Sequence, residues 1–396
     1  METGQQEQFA EIDKLRDELL TNIKCDVEPP KQLDSREVLT RIENVILGMV
    51  ATLSKDEAPV LVLPSRSDWA NVSFDSAVGL QMIAGSSVTT VRSDCPLSVK
   101  KFAQIFKILS IIYKLVQSNS YATKRDIYYN DTQLFGYQRA VDCIVDDISC
   151  MLQVPRRTLH VLATSKGFLC GDLSYLEGDG SRVNCLSSSA AVPVSSNVAG
   201  IKNIVSSAKF VLIVEKDATF QRLIDDDFCS KLCPCIMITG KGFPDVNSRL
   251  MVRKLWDTLQ IPIFALVDAD PHGTPLLSYM SYSTQQNRHH TDCEAMSFEA
   301  HSLTVPSVRW MGLLPSDLQR LRVPQDMLIP LTQRDESKLH SLLRRPYLAS
   351  QPSWQKEMDL MRQNKVKAEI QSLSAIGPDF LSKVYLPNKL RYGGWI

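Results

Sequence analysis

Three continuous apolar runs in the second half of the chain, Phe210-Val-Leu-Ile-Val214, Ile236-Met-Ile-Thr239 and Ile263-Phe-Ala-Leu-Val267, constrain its fold more than any other feature. Each has the length of a strand, and none alternates polar with apolar residues. Strands that read this way are buried on both faces, the pattern of a parallel sheet covered by helices. Helical spacing over 220–232 and 250–259 fills the connections, so an α/β unit is predicted. The first run stops at Glu215, the second at Gly240-Lys-Gly242 and the third at Asp268-Ala-Asp270. Loops beyond the carboxyl ends of parallel strands gather in one crevice, which brings Glu215, Asp268 and Asp270 together. Carboxylates gathered in this way repel unless a cation neutralises them, and Mg²⁺ does so while leaving positions for phosphate oxygens. Acidic strand ends also serve as helix caps or solvated loop residues, so the pattern favours a metal without requiring one.

The first half is helical by its periodicity. Val38, Ile42, Val45, Met49 and Leu53 share one face behind Asp34 or Ser35, and Phe102, Ile105, Leu109, Ile112 and Val116 form a second, wider stripe. A third stripe, Val141, Ile144, Val145, Ile148 and Leu152, ends at Pro155. Before these, Phe9, Ile12, Leu15 and Leu19 predict a helical arm, interrupted by Pro29 and Pro30, that either docks on a partner or packs on its own body. Residues 55–97 read as irregular. Leu159–Ala163 and Phe168–Cys170, around Ser165-Lys-Gly167, read as a β-hairpin, and short helices followed by a hairpin describe a winged helix. The Ser- and Gly-rich stretch after Glu177 reads as a linker. The expected layout is therefore a multidomain, mixed α/β chain: an N-terminal helical arm and irregular region over 1–97, a winged-helix domain over 98–177, a linker over 178–204 and the α/β domain with a C-terminal extension over 205–396.

With 44 basic and 44 acidic side chains in 396 residues, the net charge is zero, so any nucleic-acid surface must be local. Candidate local bases are Lys124 and Arg125, Arg156, Arg157 and Lys166, then Lys241, Arg249, Arg253 and Lys254. Lys241, between two glycines at a strand end, is the best placed to meet a phosphate. Neither a signal peptide nor a membrane-length apolar stretch is evident, so a soluble intracellular protein with no membrane partner is expected. Cys229, Cys233 and Cys235, with His289, His290 and Cys293, lack paired metal-ligand spacing, so packed thiols are preferred to zinc.

The segment Thr123-Lys-Arg-Asp-Ile-Tyr-Tyr129 adds a second chemical centre. Thr123 with Asp126 makes a capping-box start to a short helix. Arg125 then lies one helical turn before Tyr129, while Tyr128 points about 100° away. A phenol ordinarily ionises near pH ~10, so it attacks only if its anion is stabilised, and Arg125 is placed to do that. Spacing alone favours packing or a phosphate hydrogen bond over nucleophilic attack.

The contexts Val214-Glu-Lys-Asp217 and Val267-Asp-Ala-Asp-Pro-His-Gly273 resemble the acidic motifs of the Toprim fold. Together with Thr123–Tyr129, Ile238-Thr-Gly-Lys-Gly-Phe-Pro-Asp245 and the closing Leu386–Ile396, they make the chain from about Val38 onward resemble the meiotic, recombination-initiating homologues of the catalytic, A-type chain of DNA topoisomerase VI. The resemblance implies that Tyr129 is the nucleophile and that Glu215, Asp268 and Asp270 hold Mg²⁺. It further implies a 5′-phosphotyrosyl link to double-stranded DNA, a homodimer for cleavage, a partner resembling the B-type chain of topoisomerase VI, and a nuclear location. Arg125 is expected to assist catalysis, with Lys124, Lys241 and Arg249 on the DNA. One departure stands out: after Gly273 the family continues through a Tyr-Lys-x-Gly-Ser stretch, whereas this chain reads Thr274-Pro-Leu-Leu-Ser and onward to His290. A Toprim-type nuclease would need only the acids, and a DNA-binding scaffold neither centre.

Overall fold

The computed structural model describes residues 9–22, 34–64, 72–75, 79–82, 87–162, 165–186, 191–232, 234–273, 303–305, 307–349 and 351–396. They fall into two compact units, one within Glu28–Thr164 and the other within Met1–Val27, Ser165–Tyr282 and Ser302–Ile396. Helix α1 (Ala10–Asn22) belongs to the second unit, where Ile12 and Leu15 enter the core with Phe9 just ahead of them. The N-terminal stripe therefore packs on its own body.

The helical unit opens with α2 (Ser35–Leu53), followed by the antiparallel pair β1 (Val60–Pro64) and β2 (Val88–Arg92). The ladder lies where the sequence reads as irregular. Along β1 only Leu61 and Leu63 face inward, and two inward residues are too few to register as an alternation. Helix α3 (Val99–Gln117) buries Ile105, Ile108, Leu109 and Ile112 against Val38 and Ile42 of α2. Strand β3 (Ala122–Thr123) leads into α4 (Lys124–Asn130), and α5 (Gln138–Leu152) closes the core with Val141, Ile144, Val145 and Ile148.

Among the described residues, the expected hairpin does not form. β4 (Val161–Leu162) pairs in parallel with β3, whereas β5 (Phe168–Gly171) joins the sheet of the other unit. The run at 168–170 is apolar enough to be an inner strand, and pairing to a buried neighbour displaces the local turn. The expected linker is also structured: Ser174–Leu176, Arg182–Asn184 and Lys202–Val205 make a three-stranded antiparallel sheet. These strands are short and half-exposed, so their sequence carries little apolar signal.

The α/β unit is built on six strands in the order β6-β5-β8-β7-β9-β10, where β6 is Val192–Pro193, β7 Val211–Val214, β8 Ile236–Thr239, β9 Ile263–Leu266 and β10 Val308–Gly312. The four strands β8, β7, β9 and β10 run parallel; β5 and β6 extend the sheet antiparallel. Every residue of β7, β8 and β9 is buried, as continuous apolar runs require. Helices α6 (Asp217–Asp225) and α7 (Val246–Leu259) follow β7 and β8. Helix α8 (Leu386–Tyr392) buries Leu386 and Leu390 in the same core, and Ile396 exchanges two backbone hydrogen bonds with Trp310 of β10. The segment 274–290 and the group at His289, His290 and Cys293 lie outside the described residues.

Candidate active site

The acidic crevice is assembled by register. In the parallel ladder Val214 pairs with Leu266, so β7 and β9 end at the same height. Glu215 and Asp268 then emerge side by side, and the Asp268 amide donates to Glu215 Oε2 at 2.9 Å. Asp268 Oδ1 accepts from the Ile370 amide at 2.8 Å. Asp270 turns back onto its own loop, taking the His272 amide at 2.7 Å and the Gly273 amide as well. Gly273 has no room for a side chain: a Cβ there would lie 2.8 Å from the Asp268 carbonyl oxygen and 3.1 Å from Glu215 Oε2.

Burial, and after it the charge of Asp268, push the Glu215 carboxyl up to about 8, against the pull of the Asp268 amide. Asp268 is raised too, because burial outweighs its bond to Lys216. Among the described residues, no three His, Cys, Asp or Glu side chains close around one point as a finished metal cage. A hard ion that keeps waters and substrate oxygens needs only one or two protein carboxylates, so the donor set remains suited to Mg²⁺.

Two groups here carry no signal of their own in the sequence. Lys216 pairs with Asp268 at 2.8 Å and with Glu369 at 3.1 Å, and Glu369 lies about a hundred residues beyond Asp268 along the chain. The backbone bridge between Ala269 and Ala368 brings it there. Burial opposes the Lys216 ammonium, but the bonds and charges of Asp268 and Glu369 outweigh it and raise its pKa.

The loop after β8 sits against the same strand end. The Gly242 amide donates to the Glu215 carbonyl at 2.7 Å, and Lys241 and Gly242 both take positive φ, 51° and 86°. Lys241 is only partly covered; its ammonium lies 4.1 Å from the Phe168 ring centre and 3.2 Å from Asp217. Arg249, by contrast, is 0% exposed on α7 and presents nothing to an external phosphate. Arg253 and Lys254 donate to main-chain carbonyls, of Thr304 and Ile201 respectively, which ties both to the fold.

In the helical unit, the capping box at Thr123 and Asp126 is present in full, with reciprocal bonds of 3.2 and 2.8 Å. It fixes the first turn of α4, and Ile127 anchors the helix in the core. The two tyrosines then divide. Tyr128 packs against the core and donates to the Gly136 carbonyl at 3.4 Å. Tyr129 is 71% exposed, and Arg125, one turn earlier, is exposed as well. Lys124 faces the other way, bonded to Asp146 at 3.0 Å and to the Asp142 carbonyl at 3.1 Å. Arg156 lies 3.9 Å from the same Asp146.

Two family models match the chain: the Toprim domain of the topoisomerase 6 A-type chain and Spo11 over residues 210–390, and type IIB DNA topoisomerase over residues 100–161. The chain is 56% identical to the human meiotic recombination protein SPO11 over 393 residues, covering 98% of this chain and 97% of that one. The mouse counterpart is 55% identical over the same shares. The A-type chain of DNA topoisomerase 6 from Arabidopsis thaliana is 35% identical over 91% of this chain and 81% of its own length. An α/β unit with acids at its strand ends, joined to a helical unit with an exposed tyrosine, is thus that of a topoisomerase VI A-like enzyme. The chain belongs to the family formed by Spo11 and the A-type chain of topoisomerase 6.

Proposed function

We propose that this chain makes the DNA double-strand breaks that initiate meiotic recombination, with Tyr129 as the nucleophile. The observation that carries the choice is the division of the tyrosine pair: Tyr129 is open to a substrate, and Tyr128 is held against the core. The Tyr129 oxygen attacks a DNA phosphorus, a 5′-phosphotyrosyl bond forms, and the 3′ oxygen leaves with a proton. Arg125, on the Tyr129 face, stabilises the phenolate and the phosphate charge. The phosphoester bond energy is kept in the covalent link, so cleavage itself needs no ATP.

Glu215, Asp268 and Asp270 are the residues that would hold Mg²⁺. Burial and the charge of Asp268 raise Glu215, a cost that a divalent ion would offset, and the ion would supply stabilisation of the crowded anionic phosphorus and the leaving oxygen. Lys241, beside that crevice, meets the DNA backbone; Lys124 supports α4 through Asp146 and reaches DNA only if that pair opens. The tyrosine and the acids lie in different units, and in this reading two copies of the chain bring them to one phosphodiester, which the family resemblance supports. The partners are accordingly double-stranded DNA, a second copy and a protein resembling the B-type chain of topoisomerase VI, and the nucleus is the location.

The test is recovery of a covalent protein–DNA adduct from DNA-cleaving cells or reactions. Wild type and Tyr128→Phe should give it, and Tyr129→Phe should not. Adducts undiminished in Tyr129→Phe would sink the assignment, and free 5′ ends from wild type would point to a Toprim hydrolase instead.

A further inference from the structure

The acidic crevice contains a cation of the chain's own. Lys216 follows Glu215 directly at the N-cap position of α6, and its ammonium reaches Asp268 Oδ2 at 2.8 Å and Glu369 Oε2 at 3.1 Å. Gln371 Oε1 accepts a third bond at 3.3 Å. The other Asp268 oxygen is taken by the Ile370 amide. Asp268 is thus engaged at both oxygens by the chain itself. The pair is not a surface ornament: the Asp268 side chain is 5% exposed and that of Lys216 28%. The backbone bonds between Ala269 and Ala368, 3.0 and 3.1 Å, hold the Glu369 segment against the acidic loop.

We propose that Lys216 is a positioning residue that competes with the divalent cation, holding Asp268 and Glu369 together when no such ion is bound and yielding Asp268 when one enters. The inference rests on reading the acids as metal ligands and adds to it a built-in limit on metal affinity. Two effects act with the same sign. The ammonium occupies a lone pair that the ion requires, and its positive charge repels the ion at short range. Glu369 gives the displaced ammonium a second carboxylate to remain on, so release of Asp268 does not leave an unpaired buried charge.

The test is a titration of the full-length chain with Mn²⁺ at pH 8, free ion being counted by electron paramagnetic resonance. Lys216→Met and Lys216→Gln should bind Mn²⁺ more tightly by about fivefold, the scale of one partly exposed ion pair. Lys216→Arg, which keeps the charge, should stay near wild type, while Glu215→Gln and Asp270→Asn should bind more weakly. Unchanged or weaker binding in the Met and Gln variants, with the acid variants still impaired, overturns the role of Lys216 alone. Binding unaffected by the acid variants overturns the metal reading itself. Circular dichroism checks each fold, and if Lys216→Met does not fold, Lys216→Gln decides.

Discussion

The two units treat their reactive groups in opposite ways. The α/β unit encloses its carboxylates at the ends of fully buried strands, so that burial raises both Glu215 and Asp268 from their ordinary values, Glu215 to about 8. The helical unit encloses only the scaffold of α4 and leaves Tyr129 in the open, with the arginine beside it. A group that is to hold a cation gains from burial, because low dielectric makes unneutralised charge costly and the cation correspondingly welcome. A nucleophile that must reach a polymer as large as DNA gains from access. Mutation should therefore separate chemistry from stability in the helical unit and couple the two in the α/β unit.

The largest expected effect is at Tyr129. Phe there should lower cleavage by about 10³-fold or more while changing unfolding free energy by less than about 0.5 kcal/mol, since the side chain is exposed. Adduct yield and a denaturant melt measured on the same preparation check both halves, and a large stability loss would break the contrast between the units.

Glu215 should behave in the coupled manner. Its folded pKa, about 8, lies above its ordinary value of 4.5, so the folded chain binds the extra proton between those values. Stability of metal-free protein should then fall as pH rises through that window, by on the order of 3 kcal/mol. Glu215→Gln should flatten the slope and abolish cleavage. Urea melts in chelator at pH 5 and pH 8 decide; equal slopes in wild type and variant would refute the buried-acid account.

Within the helical unit the exception to separability is Asp146, which takes Lys124 and Arg156 onto a nearly buried carboxylate. Asp146→Ala should cost about 2 kcal/mol, less than a fully buried pair because Lys124 keeps some solvent, and the loss should appear in melts before any change in DNA affinity. Removing the helix cap with Thr123→Ala should cost about 1 kcal/mol and reduce amide protection through α4. Smallest is Lys241→Ala, expected to weaken DNA binding about threefold and to lower the salt slope by about one unit, with no effect on folding.

Much of the candidate site was legible in the chain. The unbroken apolar runs announced buried parallel strands, and because parallel strands share a polarity, the residues directly after them had to meet at one edge. The capping box at Thr123 is likewise a local pattern, and it appears as spelled. Where the fold departs from the local pattern, competition between distant partners is the cause. Phe168–Gly171 looked like half of a hairpin, but it pairs with β8, some seventy residues away. Arg249 looked like one more surface base on an amphipathic helix and is fully enclosed.

By itself, the sequence determined which residues are candidates for chemistry, and which strands would carry the acids, because periodicity and strand polarity are local properties. Only the tertiary structure decided that Tyr129 rather than Tyr128 is exposed, that Lys124 turns inward to Asp146, and that Lys216 and Glu369 join the crevice. Exposure and charge pairing depend on what the rest of the chain places within a few ångströms, and no spacing along the sequence encodes that distance.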